Sequence, residues 1–321
     1  MNLKNKSTDI ICVGETLIDF IGTQTESPIS ETRDYHRYLG GSPTNVALNM
    51  SRLGMRVCMA ATVGKDGFGS YILQRFTETN ISTKYIKVLE NNTTTVIFVN
   101  RTVNTPEFIP MRDADFHITE DQLPDDLLAQ TAIFHTSCFA LSLEPARTTI
   151  LKKAVRAKAL GCVLSIDANY SEKIWPDTNQ AVQAIADYCA LEPLVKVSQD
   201  DMNRLFGKGM SHDEIFVNLH GMGAKVVCLT LGNRGAKLSM KGAPVLELSA
   251  VKVEKIMDAT GAGDAFWSGF LYSWIKGKSP ANCMETALKM AAIKLQNVGR
   301  IPDYALHISN LIDGNSQEGS K

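Results

Sequence analysis

A glycine turn that carries two carboxylates offers the clearest chemistry in this sequence. It reads Asp258-Ala259-Thr260-Gly261-Ala262-Gly263-Asp264 and runs directly into an apolar segment. At a helix N-terminus, unpaired backbone N–H groups and the helix dipole bind anions, and Gly261 and Gly263 would leave that approach open. Asp264 beside such a site suits a general base that deprotonates a hydroxyl during phosphoryl transfer. The alternative is that Asp264 only caps the helix.

The segment after this turn is predicted to be a helix that begins near Ala262. Its apolar residues recur at positions i, i+3, i+4 and i+7, a pattern that buries one face of a helix. They are Trp267, Phe270, Leu271 and Trp274. The glycines therefore lie at a helix N-terminus, where an anion can bind.

The rest of the chain alternates between strand-like and helix-like segments. Buried strands are predicted at residues 9–13, 57–63, 132–136, 162–166, 194–197 and 225–231. Helices are predicted at residues 46–53, 68–79, 145–160, 178–189 and 214–220. This alternation predicts an α/β fold with a mostly parallel, doubly wound sheet and helices on both faces.

Two excursions interrupt this alternation. Strand-like segments at 16–21 and 35–39 form the first, and β-branched segments at 93–99 and 108–111 form the second. We group them as one accessory sheet with segments of approximately 15–39 and 93–111. The sequence thus predicts a single domain over residues 1–312, followed by a disordered tail at 313–321.

The composition argues against several classes of protein. Of 321 residues, 44% are hydrophobic and 21% are charged, and the net charge is −1 with no basic stripe. A globular protein with no nucleic acid and no membrane as partner is expected. No apolar run reaches the length of a membrane span or a signal peptide, which predicts a cytoplasmic location. The seven cysteines are dispersed, which predicts reduced core residues and no zinc site.

Other glycines in the chain do not form a dinucleotide site or a P-loop. Gly14 follows the first strand, but the spaced glycines of a dinucleotide fold do not come after it. Gly277-Lys278-Ser279 ends like a P-loop, yet Tyr272 stands where the first glycine belongs. Gly40-Gly41 before a predicted helix is open to two interpretations, a turn without a ligand or part of a site.

Taken together, these stretches resemble the two signatures of the ribokinase (PfkB-type) carbohydrate kinase family. The first signature covers residues 40–47 with Gly54 and Gly64, and the second covers residues 258–264. Residues 14–20, 63–69 and 230–236 also resemble that family, and residues 14–20 and 197–201 are most similar to fructokinases. The resemblance implies a three-layer α/β/α sandwich with a small β-sheet lid over the sugar.

The resemblance also implies roles for individual residues. Asp264 matches the general base of the family. The positions that match its anion hole are Gly261, Ala262 and Gly263. The positions that match its sugar contacts are Asp19, Gly41 and Asn45, and Arg112 stands where relatives carry a basic residue near the substrate. Asp19 and Arg112 could instead be solvated surface charges.

The cofactors implied by the resemblance are ATP, Mg²⁺ and K⁺ as an activator. The nucleotide-binding positions are Ser198, Thr230, Gly232 and Gly235. Mg²⁺ is expected at Asp201, where the family has a longer glutamate. The monovalent-cation positions are Asp258, Thr260, Asn297, Gly299 and Asp303. The alternatives are turns without a ligand and an Asp258 that only braces its turn.

These positions predict an ATP-dependent kinase that transfers the γ-phosphoryl group to a hydroxyl of a small sugar, with fructose as the first choice. The alternatives within the family are ribose, 2-keto-3-deoxygluconate, a nucleoside or a phosphosugar. A phosphosugar would need basic residues in the sugar pocket, for which the candidates are Arg33, Arg37, Arg101 and Arg112. A homodimer that pairs through the lid is also expected.

An alternative from another class is a catalytically silent, sugar-binding regulator. The chain departs from the family pattern at Ser171 and Ser198, and at Ala259, where threonine is frequent. These departures put the metal geometry and the sugar in question. The intact Asp264 with its glycines favours the enzyme.

Overall fold

The computed structural model describes residues 6–102 and 107–298, and these residues form two β-sheets and nine α-helices. In chain order the strands are β1 (Thr8–Val13), β2 (Leu17–Thr25), β3 (Tyr35–Gly40), β4 (Val57–Gly64), β5 (Ser82–Leu89), β6 (Val96–Arg101), β7 (Phe108–Met111), β8 (Thr131–Ser137), β9 (Val163–Asp167), β10 (Leu194–Ser198), β11 (Val226–Thr230), β12 (Ala236–Met240) and β13 (Leu246–Leu248). The helices are α1 (Ser42–Arg52), α2 (Gly67–Glu78), α3 (Asp125–Ala129), α4 (Ala146–Ala159), α5 (Thr178–Cys189), α6 (Gln199–Phe206), α7 (His212–Met222), α8 (Ala262–Ile275) and α9 (Pro280–Leu295). The predicted cation ligands Gly299 and Asp303 and the predicted tail at 313–321 lie outside the described residues.

Nine strands form the central sheet, in the order β13-β12-β11-β10-β9-β8-β1-β4-β5. The strands from β11 to β5 are parallel, so that Ile10 of β1 lies opposite Val57 of β4 and Ile133 of β8. The edge strands β12 and β13 are antiparallel. This is the mostly parallel sheet that the alternation of strands and helices predicts.

Side chains alternate between the two faces of this sheet, and each face packs on its own layer of helices. Ile10 and Cys12 point into a core with α1, α2, α8 and α9. Ile11 and Val13 point into the opposite core with α3, α4, α5 and α7. Because both faces are covered, the parallel strands are apolar almost throughout. Within the described ranges, every helix is too short or too polar to cross a lipid bilayer.

The two excursions from the alternating pattern form a second sheet of four strands, in the order β3-β2-β6-β7. We call this sheet the lid. Its central strands β2 and β6 are parallel, and β3 and β7 are antiparallel to their neighbours. The outer face carries Phe20, which stacks on Phe98 at 5.2 Å between ring centroids and contacts Phe68 of α2 at 5.6 Å. The inner face of the lid lines a cavity and forms the roof of the candidate site.

The structure differs from the sequence prediction at the start of the second excursion, where the strand begins at Val96 and not at Thr93. The backbone N–H of Thr93 donates to Asp113 Oδ2 at 2.6 Å, and that of Thr94 donates to Asp66 Oδ2 at 2.7 Å. Asp66 also caps α2. Because side chains take these N–H groups, the β-branched residues at 93–95 lie in a loop that anchors the lid to α2.

Candidate active site

A cavity of about 480 Å³ lies between the inner face of the lid and the N-terminus of α8. It brings together residues that are widely separated in the chain, from Glu15 to Asp264. Of the predicted positions, its walls contain Asp19, Gly41, Asn45, Ser171, Asp201, Thr260, Gly261 and Asp264. Asp19 and Asp264 lie far apart in the sequence, so the site forms only when the chain folds.

Asp264 lies in the first turn of α8 and is 9% exposed. Its Oδ1 accepts a hydrogen bond from Ser42 Oγ at 2.7 Å, and its Oδ2 accepts one from Asn45 Nδ2 at 2.8 Å. Both donors belong to α1, and the N-cap position of α8 is Gly261, which makes no side-chain cap bond. The carboxylate is therefore oriented toward the cavity by a neighbouring helix.

The electrostatic environment makes Asp264 a stronger proton acceptor than an ordinary aspartate. Burial raises the pKa of its carboxyl group. The hydrogen bonds from Ser42 and Asn45 and the charges of Lys196 and Lys294 oppose that rise. Since a base works best with a pKa nearer the operating pH, this direction suits proton abstraction.

The turn before α8 has the geometry of an anion site. Gly261 has φ of +76°, a left-handed conformation that favours glycine. A Cβ atom at Gly263 would lie 2.8 Å from Lys196 Nζ, so an ammonium group lies directly beside the glycine N–H groups. Positive charge at this N-terminus thus comes from the helix dipole and from Lys196 together.

Lys196 is a site residue that the sequence prediction missed. It is 5% exposed in strand β10, and its Nζ lies 3.0 Å from both carboxylate oxygens of Asp167. Burial would lower the pKa of Lys196, but the negative charges of Asp167, Asp201 and Asp264 outweigh it and raise the pKa above its ordinary value. The ammonium is therefore permanently charged. The available signal was a single lysine within the apolar run 194–197.

Glu15 fixes the turn that opens α1. Gly41 has φ of +102°, and a Cβ atom there would lie 2.4 Å from the Glu15 carbonyl oxygen. The Glu15 side chain accepts hydrogen bonds from Ser42 N and from Ser137 Oγ, both at 2.8 Å. It is 1% exposed, and burial raises its pKa to about 8. Glu15 therefore holds the start of α1, and with it the two donors to Asp264.

The raised pKa of Glu15 predicts a stability that depends on pH. Between its ordinary pKa of 4.5 and the folded value of about 8, the folded protein keeps a proton that the unfolded chain has released. Stability is therefore lost as pH rises through this window, by roughly 5 kcal/mol at most. Glu15→Gln does not ionise; its amide oxygen can accept from Ser42 N, and its NH2 group can donate to Ser137 Oγ in the reverse direction. We expect its free energy of unfolding to exceed that of the parent at pH 9 and to match it at pH 4. Urea unfolding at both pH values is the measurement, and an equal difference at both would contradict this assignment.

Asp19 lies on β2 in the inner face of the lid, across the cavity from Asp264. Burial, together with the negative charges of Asp264 and Asp258, raises its pKa to about 7. The structure thus places the two aspartates at one cavity. A ligand with several hydroxyl groups would offer them hydrogen-bond donors.

Arg112 does not line this cavity. Its guanidinium donates to Asp115 at 2.6 Å and to Ser142 Oγ at 2.6 Å, and its Cζ lies 4.2 Å from the ring centroid of Phe139. Phe139 does line the cavity. In this structure Arg112 therefore supports the cavity wall from behind, and its predicted contact with substrate stays a prediction.

The predicted nucleotide-binding positions meet at the carboxyl ends of two neighbouring strands. Ser198 of β10 lies opposite Thr230 of β11 in the parallel register. Gly232 and Gly235 bound the short 3₁₀ turn that follows β11. Ligands of open α/β sheets bind outside the carboxyl ends of the strands, which is where these residues lie.

Asp201, the predicted Mg²⁺ ligand, has both carboxylate oxygens engaged. Oδ2 accepts from Ser198 N at 3.0 Å and from Ser198 Oγ at 2.5 Å. Oδ1 accepts from Arg204 at 2.8 Å and from Tyr170 N at 3.1 Å. Within residues 6–102 and 107–298, no three His, Cys, Asp or Glu side chains cluster as a metal site would require. A metal ion at Asp201 would thus have to displace existing bonds or be reached through water.

The described part of the predicted monovalent-cation site lies beside the anion turn. Asp258 Oδ1 accepts from Thr260 N at 2.9 Å. The ammonium group of Lys294, a residue that was not predicted, lies at this position. It donates to Asp258 Oδ2 at 3.3 Å and to the Asn297 carbonyl oxygen at 3.0 Å. Gly299 and Asp303 are the two predicted ligands that fall outside the described residues.

Comparisons with known proteins identify the family of this chain. The profile described as "pfkB family carbohydrate kinase" matches residues 7–305. The chain is 35% identical to the ATP-dependent 6-phosphofructokinase of Thermoanaerobacterium thermosaccharolyticum over 93% of this chain and 91% of the relative. The structure of Halothermothrix orenii fructokinase matches with a TM-score of 0.76 and 32% identity, over 88% of this chain and 98% of that one. An uncharacterized sugar kinase from Pyrococcus horikoshii, in complex with ATP, matches with a TM-score of 0.80 and 26% identity over 90% and 93%.

These matches confirm the predicted family, the fold with its small second sheet, and the class of reaction. The resemblance was based on two sequence motifs, at residues 40–47 and 258–264, and the fold that it implied is the one observed. The chain belongs to the pfkB family of carbohydrate kinases, and it is a fructokinase-like, ATP-dependent sugar kinase.

Proposed function

We propose that this enzyme transfers the γ-phosphoryl group of ATP to a hydroxyl group of fructose. The observation that carries the proposal is the buried Asp264 carboxylate, which α1 orients into the cavity beside the glycine N-terminus of α8. A sugar under the lid would lie between Asp19 and Asp264. In this position a hydroxyl group can reach the base while the other hydroxyls bind the lid.

Each step of the transfer has a residue that serves it. Asp264 takes the proton from the attacking hydroxyl group. The N–H groups around Gly261 and Gly263, with Lys196 beside them, stabilise the charge on the phosphoryl oxygens. The lid excludes water, which would otherwise compete with the sugar as the acceptor. ATP is proposed to lie along Ser198, Thr230, Gly232 and Gly235.

Mg²⁺ is part of the proposal because it neutralises phosphate charge in kinases. It is usually bound through substrate phosphates, waters and few carboxylates. The hydrogen bonds of Asp201 are consistent with this mode of binding. Asp201 would position the start of α6 and would hold the metal ion through a water molecule. K⁺ as an activator remains the sequence-based prediction for Asp258, Thr260 and Asn297.

A second candidate acceptor is fructose 6-phosphate, and it is favoured by Lys173. The basic residues that line the described cavity are Lys173 and Arg204. The four arginines predicted from the sequence are not among the described lining residues; they are Arg33, Arg37, Arg101 and Arg112. Arg204 is already paired with Asp201 at 2.8 Å, so Lys173 is the available cation. It donates to the Phe108 carbonyl oxygen at 2.9 Å, on lid strand β7. Lys173 is thus the observation in favour of the phosphosugar, but a phosphosugar would need several basic residues in the pocket, so fructose stays the first candidate.

A coupled assay of ADP release tests both candidates. We expect the largest kcat/KM with fructose, compared with fructose 6-phosphate, ribose, 2-keto-3-deoxygluconate and a nucleoside. Lys173→Ala should change that value less than threefold, because fructose carries no phosphate for the lysine to bind. A preference for fructose 6-phosphate, with a KM that rises at least tenfold in Lys173→Ala but not in Lys208→Ala, would replace fructose with the phosphosugar. Sugar binding without ADP release above background would support the silent regulator.

Further parts of the proposal concern the whole protein. We propose a single kinase domain over residues 1–312, in a cytoplasmic enzyme that pairs through its lid. The edge strand β7 supports the pairing, since Ile109 and Met111 are 45% and 59% exposed. Exposed apolar side chains on an edge strand favour association.

A further inference from the structure

Lys294 connects helix α9 to the turn that carries the anion site. It lies in the last turn of α9, it is 3% exposed, and its side chain runs toward the glycine turn before α8. A Cβ atom at Gly261 would lie 3.6 Å from Lys294 Cε. A buried, positively charged side chain thus lies directly beside the glycine turn.

The contacts of Lys294 are those expected of a bound cation. Its Nζ donates to Asp258 Oδ2 at 3.3 Å and to the Asn297 carbonyl oxygen at 3.0 Å. One is a carboxylate oxygen and the other a backbone oxygen, the donor set that suits a hard monovalent cation. Both residues are positions where the sequence resemblance predicts ligands for K⁺.

The residues present therefore do not fit a K⁺ ion at Asp258 and Asn297. An ion that contacted both oxygens would lie next to the Lys294 ammonium group, at a distance where two positive charges repel strongly in a buried site. In the described part of this site the carboxylate is that of Asp258, and Lys294 already compensates its charge. The other oxygen of Asp258 accepts from Thr260 N at 2.9 Å, so the same carboxylate shapes the anion turn.

We propose that Lys294 is a tethered replacement for the monovalent cation, so that the enzyme needs no K⁺. The ammonium group fixes Asp258, Asp258 fixes Thr260, and the anion turn keeps its shape in any salt. Lys294 is in this account a positioning residue, because it acts on the reaction through the turn. This inference and the sequence-based prediction of K⁺ activation demand opposite results. It concerns the same site as the proposed function, so its test includes a readout that needs no substrate.

The first arm compares salts. At equal ionic strength, kcat of the parent protein in KCl, NaCl and choline chloride is expected to agree within twofold. The melting temperature should likewise be the same in the three salts. A parent protein whose kcat rises fivefold or more in KCl over choline chloride overturns the inference.

The second arm removes the tethered charge. Lys294→Ala should lose at least tenfold in kcat in choline chloride and recover most of it in KCl, because K⁺ can now reach Asp258 and Asn297. Its melting temperature should rise with KCl, whereas that of the parent and of Lys289→Ala, an exposed lysine on the same helix, should not. A variant that responds equally to all three salts in both measurements overturns the inference.

The test still gives an answer if Lys294→Ala fails to fold or if the parent protein has no kinase activity. If Lys294→Ala folds only in KCl, that rescue supports the inference. If it folds in no salt, Lys294→Arg decides: K⁺-independent activity in that variant supports the inference, and newly acquired K⁺ activation overturns it. A protein with no kinase activity on any sugar would refute the proposed function, while the melting temperatures still decide the role of Lys294.

Discussion

Asp264→Asn is expected to lower kcat by about 10²–10⁴, the usual contribution of a general base. The amide has nearly the same shape as the carboxylate but has no useful basicity. The N-cap of α8 is Gly261 and the Asp264 side chain does not cap the helix, so the first turn of α8 should persist. The amide oxygen can still accept from Asn45 Nδ2, but its NH2 group can only donate, so the bond to Ser42 Oγ must reverse its direction or be lost. This costs about 1 kcal/mol in stability.

The measurements for this variant are kcat, melting temperature and the sugar Kd. Ser42→Ala is the matched control, because it removes one of the two hydrogen bonds to the same carboxylate and leaves the base in place. We expect Ser42→Ala to lose tenfold or less in kcat. If Asp264→Asn binds sugar, folds and turns over within a few-fold of the parent, Asp264 is only a structural residue.

Asp19→Ala is expected to lower kcat/KM for the sugar by about 10², mostly through KM. Hydrogen bonds to charged groups contribute about 1.5–3 kcal/mol each, and the carboxylate of Asp19 can accept bonds from two hydroxyl groups. The KM for ATP should stay within threefold, since the predicted nucleotide positions lie at the ends of β10 and β11. The binding of sugar and the binding of ATP are thereby separated.

Asp34→Ala is the matched control for Asp19→Ala. It removes the same charge from an exposed residue next to the start of β3, outside the cavity lining. We expect its kinetics to equal those of the parent. An Asp19→Ala enzyme whose sugar KM is unchanged would place the sugar elsewhere under the lid.

Much of this architecture is predictable because local patterns and the fold agree. Helix α5 begins and ends where the pattern predicts, at Thr178 and Cys189, since Asp177 caps its start. The start of α8 at Ala262 is also confirmed. By contrast, β5 was not predicted, because its polar and apolar residues mix on an edge strand that is only partly buried. Helix α6 was missed as well, since the residues 198–201 were interpreted as a binding motif and are also its capping box.

The two buried lysines could not be predicted, because single charged residues within apolar segments have no local partner in the sequence. Lys196 of β10 pairs with Asp167 of the neighbouring strand β9. Lys294 of α9 pairs with Asp258, which lies in the turn before α8. Only the tertiary structure brings these charges together. The carboxylates, in contrast, were found because Asp258 and Asp264 lie in one short motif.

The parallel pairing of β2 with β6 has a consequence for how the chain folds. Ile18 pairs with Val96, and the segment between them contains α1, β4, α2 and β5, which belong to the main body. Closing so long a loop is favourable only after those elements have packed, so the sheet over the cavity should be the late step of folding. Its rows of unpaired N–H and C=O groups would stay exposed until then. We therefore expect any partly folded chain that lacks this sheet to be prone to aggregation.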